Sequence, residues 1–135
     1  MSLSGSIYDY ASYNGEGTMS VISNPPTALP AGWAYISSGG SGYIVGPTAY
    51  LRYASLNGAN LSAMDLTGAA LPYANLSSAN LAGTNLTGVD LSNATLTGAT
   101  FTGATLSGVT WFQTTCPNGT NSATYLPQTC IGHGI

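Results

Sequence analysis

Residues 59–83 read Ala-Asn-Leu-Ser-Ala-Met-Asp-Leu-Thr-Gly-Ala-Ala-Leu-Pro-Tyr-Ala-Asn-Leu-Ser-Ser-Ala-Asn-Leu-Ala-Gly, five consecutive units of five with a leucine at each centre. A five-residue period matches neither the 3.6-residue helix nor the two-residue strand, so both ordinary readings of a periodic apolar pattern fail. The register extends in both directions. From Ala49 to Gln113, thirteen units run without insertion, centred on Leu51, Leu56, Leu61, Leu66, Leu71, Leu76, Leu81, Leu86, Leu91, Leu96, Phe101, Leu106 and Trp111.

The other positions of the unit are patterned too. Two places before each centre stands a compact residue, most often alanine, and the place just before it is mostly Asn, Asp, Ser or Thr. Two places after it glycine is frequent, as at Gly58, Gly68, Gly83, Gly88, Gly98, Gly103 and Gly108. One large and one small inward residue per five suit a narrow square tube, with each unit forming one side. The glycines then relieve corners that need positive-φ geometry.

Units such as Ala59-Asn-Leu-Ser-Ala, Ala74-Asn-Leu-Ser-Ser and Ala79-Asn-Leu-Ala-Gly resemble the A(D/N)LXX signature of the pentapeptide-repeat family. The resemblance covers about half the chain and implies an all-β fold: a right-handed quadrilateral β-helix, a β-solenoid with four units per coil. Residues twenty apart then stack, with Leu51, Leu71, Leu91 and Trp111 on one side and Leu61, Leu81 and Phe101 on another. Thirteen units make about three coils, and at ~4.8 Å per rung the tube is about 15 Å tall. So short a solenoid needs both ends covered.

Three domains are expected: a Tyr-rich N-terminal arm and cap over 1–48, the β-helix over 49–113, and a disulfide cap over 114–135. Seven of the nine tyrosines occur by Tyr53. Met19–Ile22, Trp33–Ile36 and Tyr43–Val45 read as short strands, with Ser37–Gly42 as a loop and Trp33–Val45 as a hairpin or irregular cap. Residues 1–24 read either as a mobile arm or as strands that need a partner. Two roles stand open for the arm. It folds back over the first rung, or Tyr8, Tyr10, Tyr13 and Tyr35 pack on a neighbouring subunit, since rigid amphipathic rings are favoured at interfaces.

Both cysteines, Cys116 and Cys130, flank a Pro/Asn/Gly/Thr-rich loop. A disulfide across it would gain about 3 kcal/mol. The metal reading is weaker, because His133 is the only nearby ligand and no acid follows Cys116. The tail also resembles the terminal segment of secreted bacterial pentapeptide-repeat proteins, and reads as a stapled lid with Trp111 closing the apolar column. A disulfide places the protein outside the cytosol, extracellular or at the cell surface. No targeting segment is visible in Met1–Ser6, and no stretch approaches a membrane span, so no membrane insertion is expected.

Charge excludes several functions. Only 4% of residues are charged, the net charge is −3, and Arg52 is the only Lys or Arg; the acids are Asp9, Glu16, Asp65 and Asp90. Without a basic patch, nucleic-acid binding has no electrostatic footprint. A DNA-mimic role against topoisomerase, known in the family, goes with longer and strongly acidic rods and is the least favoured reading. Outward threonines at Thr95, Thr97, Thr100 and Thr102 form a rank only one coil deep, too small for ice binding.

Catalysis requires positioned acids, bases or nucleophiles. Asp65 and Asp90 occupy the pre-centre slot, where bonding to local backbone is the expected role. His133 reads as a solvated tail residue, and Ser38–Gly42 lacks the lysine and helix of a phosphate cradle. No enzyme activity and no cofactor are expected. The leading expectation is an exported structural solenoid that self-associates through its arm and its ends into a homo-oligomer or fibre at the cell surface. The alternative is a monomeric extracellular binding or adhesion module, with Tyr53 and Tyr73 stacked as a platform for a surface glycan or protein.

Overall fold

The computed structural model describes residues 29–38, 41–124 and 127–135. Its framework is a ladder of single-residue parallel bridges, each joining a pre-centre residue to the one twenty positions later. Tyr50 pairs with Ala70 and Ala70 with Asp90; Asn60 pairs with Asn80 and Asn80 with Thr100. A turn follows each bridge at five-residue intervals, so twenty residues close four sides. The coil is the one expected from the leucine spacing. Its ladder runs two residues beyond Gln113, since Thr95 still pairs with Thr115.

Each corner is closed by local chemistry. The amide of the residue three after a centre donates back to that centre's carbonyl, as Ala79 does to Leu76 at 3.0 Å. The second central residue of such a turn needs a positive φ, which glycine adopts freely. All seven corner glycines named above have φ between 67° and 73°. Asn60, Asp65, Asn75, Asn80, Asn85 and Asp90 stabilise the same turn from outside, each accepting a hydrogen bond from the amide two residues on. That is the Asx geometry these residues favour.

Inside, the centres from Leu51 to Leu96 are fully buried and the alanines two places before them nearly so. Each buried leucine contributes roughly 1.5–3 kcal/mol relative to exposure. Thr84 and Thr114 are the buried polar fillers of the column, and each hydroxyl donates to a carbonyl, of Leu61 and of Leu91, at 2.8 Å. The burial thins at one end: Ala104, Leu106 and Val109 are only partly covered.

Before the coil lies a hairpin of β1 (Ala34–Ser38) and β2 (Ser41–Val45), paired antiparallel. The expected loop over Ser37–Gly42 is too long, because Ser37 pairs with Gly42 and Ser38 with Ser41. Glycine next to serine reads as loop, yet here the glycine admits a neighbour. A Cβ on Gly42 would fall 1.9 Å from the Tyr35 hydroxyl oxygen, and one on Gly46 within 2.5 Å of the Trp33 ring. Tyr43 and Val45 join the core of the coil and Ile44, on the other face of the strand, is also buried; the Tyr43 hydroxyl accepts from the Ser55 amide at 2.9 Å, and the Ser38 hydroxyl donates to the Asn57 carbonyl at 2.7 Å. Met19–Ile22 lies outside the described residues.

Candidate functional site

The first unit of the coil, Tyr50-Leu-Arg-Tyr53, carries the most distinctive surface. Leu51 turns inward, which leaves Tyr50, Arg52 and Tyr53 on the outer side. One coil later Tyr73 occupies the same corner as Tyr53. Their rings stack with centroids 4.9 Å apart and planes 25° from parallel, and each side chain remains 45% exposed. The pair anticipated from twenty-residue spacing is therefore in contact.

Arg52 completes a triangle that spacing did not disclose. Its guanidinium carbon lies 5.1 Å from the Tyr53 centroid and 5.2 Å from that of Tyr73, within cation–π range of both. One terminal nitrogen donates to the Tyr53 hydroxyl at a long 3.5 Å, and Nε is covered without a hydrogen-bond partner. Hydrogen bonding to the hydroxyls of Tyr53, first, and Tyr50 holds the guanidinium pKa above its ordinary value. Both tyrosines stand at corners with left-handed backbone, φ 62° and 61°, where most other units place glycine. In the following coils that corner holds Asn93 and Gln113.

The remaining expected residues are placed as follows. Tyr35 lies half-buried over Gly42, while Tyr8, Tyr10 and Tyr13 lie outside the described residues. Cys116 and Cys130 form a disulfide with Cα atoms 5.2 Å apart and both residues fully buried. Among the described residues no group of three or more His, Cys, Asp or Glu is placed to hold a metal ion, and no helix is long and apolar enough to cross a membrane. His133 differs from the solvated residue expected. It is half-buried, its amide donates to the Cys130 carbonyl and its own carbonyl accepts from Asn118.

The last turn of the ladder is unevenly covered. Ser122 folds back so that its hydroxyl accepts from the Thr114 amide and donates to the Trp111 carbonyl, securing the tail over that side. A lone serine in a loop gives no periodic signal, and this anchor was not foreseen. Farther round, a cleft of about 420 Å³ opens between Ala99–Gly103 and the terminal Gly134 and Ile135. Beyond it, the Leu106 and Gly108 amides find no backbone acceptor among the described residues, although their counterparts Leu86 and Gly88 each bond to the next coil.

The family model for pentapeptide repeats matches residues 49–81 and 74–110, in 8 copies, over the same segment that forms the bridge ladder. Residues 49–110 are a run of pentapeptide repeats. Two solved pentapeptide-repeat structures, both from the cyanobacterium Nostoc PCC 7120, are similar to this chain. One is HetL, described as involved in heterocyst differentiation regulation, at 32% identity over 52% of this chain and 41% of HetL, with a TM-score of 0.34. The other is alr5209, at 33% identity over 48% of this chain and 60% of that one, with a TM-score of 0.27. The chain thus spans about two fifths and three fifths of their lengths. No curated protein matches it. The Asp65 and Asp90 carboxylates accept from the amide and hydroxyl of Thr67 and Ser92 respectively, the local bonding expected of the pre-centre slot.

Proposed function

We propose that the chain is an exported, structural, non-enzymatic β-solenoid subunit that associates with copies of itself at a cell surface, end to end into a fibre. In this reading it has about three coils, the β1–β2 hairpin caps one end, and residues 114–135 form a partial, stapled cap at the other. The observation that carries it is the partly covered stretch at Ala104–Val109, where the amides of half-buried Leu106 and of Gly108 find no backbone acceptor among the described residues. Unpaired rungs are templates for strand addition, and a contact between unlike ends propagates unless its rotation closes. The strand-like Thr18–Ser23 of a neighbour is the segment proposed to fill it. With a net charge of −3, little like-charge repulsion opposes the contact. Export is supported by the Cys116–Cys130 disulfide, which suits an oxidising compartment.

The test compares the full chain with a chain lacking residues 1–23 and with Leu106→Asp, by light scattering and by circular dichroism. Both changes should reduce scattering and leave the β signal of the coil intact. If the truncated chain instead unfolds as a monomer, the arm caps its own chain and the fibre reading loses its support. Scattering by the Leu106→Asp protein equal to that of the parent would remove the open rung from the contact.

A further inference from the structure

The Arg52–Tyr53–Tyr73 triangle is not explained by folding. A bulky residue with positive φ is an outlier that costs on the order of 1–3 kcal/mol, and such outliers concentrate where a surface is used. Seven corners of the described coil carry a non-glycine residue at positive φ, and only Tyr53 and Tyr73 among them are aromatic, one above the other, with neither ring filling the core. Asn93 keeps the same corner at φ 58° with a residue better suited to it, so the ladder itself does not require tyrosine there.

The cation beside them has no anionic partner among the described residues. Arg52 is the only Lys or Arg of the sequence, and no carboxylate among the described residues pairs with it. Asp65 and Asp90 are engaged by Thr67 and Ser92. A guanidinium carries five N–H donors, and this one makes only hydrogen bonds to tyrosine hydroxyls, one of them at 3.5 Å. It lies against two rings, and no carboxylate of the described residues uses its ionic bonding capacity.

We propose that Arg52, Tyr53 and Tyr73 form a binding site for an acidic saccharide, the guanidinium taking a carboxylate or sulfate group and the exposed tyrosines taking the sugar ring beside it. Planar recognition of such oxyanions is what arginine does better than lysine. The three centres stand 4.9, 5.1 and 5.2 Å apart, the footprint of a single hexose ring. The surroundings favour a sugar over a protein. A stable protein contact buries about 800 Å² on each side around an apolar centre. Next along this corner come Ser92 and Asn93, and the next exposed aromatic, Phe112, belongs to the coil after that. The inference develops the binding-module expectation and does not depend on self-association.

Affinity electrophoresis of the full chain tests it, in gels containing polygalacturonate or its methyl-esterified form, and dextran sulfate or dextran. The parent protein should be retarded by an acidic polymer and not by its neutral counterpart. Which acidic polymer retards it identifies the anion as carboxylate or sulfate. Arg52→Gln should weaken retention at least tenfold, and Tyr73→Asn should do the same while keeping a corner residue that Asn93 shows to be compatible. Circular dichroism checks that both variants retain the coil. No retention of the parent by either acidic polymer, equal retention by the neutral polymers, or undiminished retention of Arg52→Gln would each overturn the proposal. A variant whose only change is in the sedimentation of the protein itself would also overturn it, by assigning the triangle to a contact between copies.

Discussion

The Thr84 hydroxyl donates to the Leu61 carbonyl oxygen at 2.8 Å, inside the tube and 23 residues away in sequence. Thr114 repeats the bond with Leu91. Valine fits this slot, since Val89 occupies it fully buried one unit later. Thr84→Val therefore keeps the shape and removes one hydrogen bond, while the Leu61 carbonyl retains the Met64 amide at 3.3 Å. The expected loss is about 1 kcal/mol, visible as a lower urea midpoint at unchanged slope. A midpoint equal to or above the parent's would show that the bond contributes nothing net.

Leu81 and Leu106 share a chemistry and differ in cover. Leu81 is 1% exposed, enclosed by the leucine column, whereas Leu106 is half-buried. A carboxylate at 81 has no partner, and such burial costs more than a domain of this size can lose. Leu81→Asp should abolish the cooperative thermal transition, and Leu106→Asp should preserve it. Cooperative melting of Leu81→Asp near the parent temperature would place the register of the coil in error.

The amide and hydroxyl of Thr67 both donate to the Asp65 carboxylate, and the hydroxyl bond, the larger cause, holds its pKa below the ordinary value of 3.8. A carboxyl depressed on folding stabilises above its unfolded pKa, and that contribution is lost as pH falls through the folded one. The group is exposed, so the effect is small. Asp65→Asn keeps the acceptor oxygen that Asn75 and Asn80 supply in the same slot but cannot titrate. Its melting temperature should fall less than the parent's as pH drops below the usual carboxylate range. Parallel profiles for the two proteins would refute the linkage.

The coil was legible because a period of five states which residue is inward and which stands above it. Leu51 over Leu71 and Tyr53 over Tyr73 need nothing more than counting. The hairpin was legible in kind but not in length, since serine and glycine at 37–42 report turn propensity and cannot report that Gly42 makes room for the Tyr35 ring. The position of Arg52 was not legible. A long side chain chooses its neighbours through its own torsions, and sequence spacing constrains only the backbone that carries it. Ser122 was hidden for a related reason, because a loop that returns to Thr114 does so outside any repeat.

Pairing at twenty-residue steps also sets a rule for how the gene can change length. Loss or gain of five codons between Tyr53 and Tyr73 leaves every leucine inward but shifts all later residues by a quarter turn, so Tyr73 would no longer stand over Tyr53. Loss or gain of twenty codons restores each face to its former direction. Duplication of whole units downstream of Tyr73 lengthens the rod without parting the two rings, and duplication of a whole coil there also leaves every later face in its former direction.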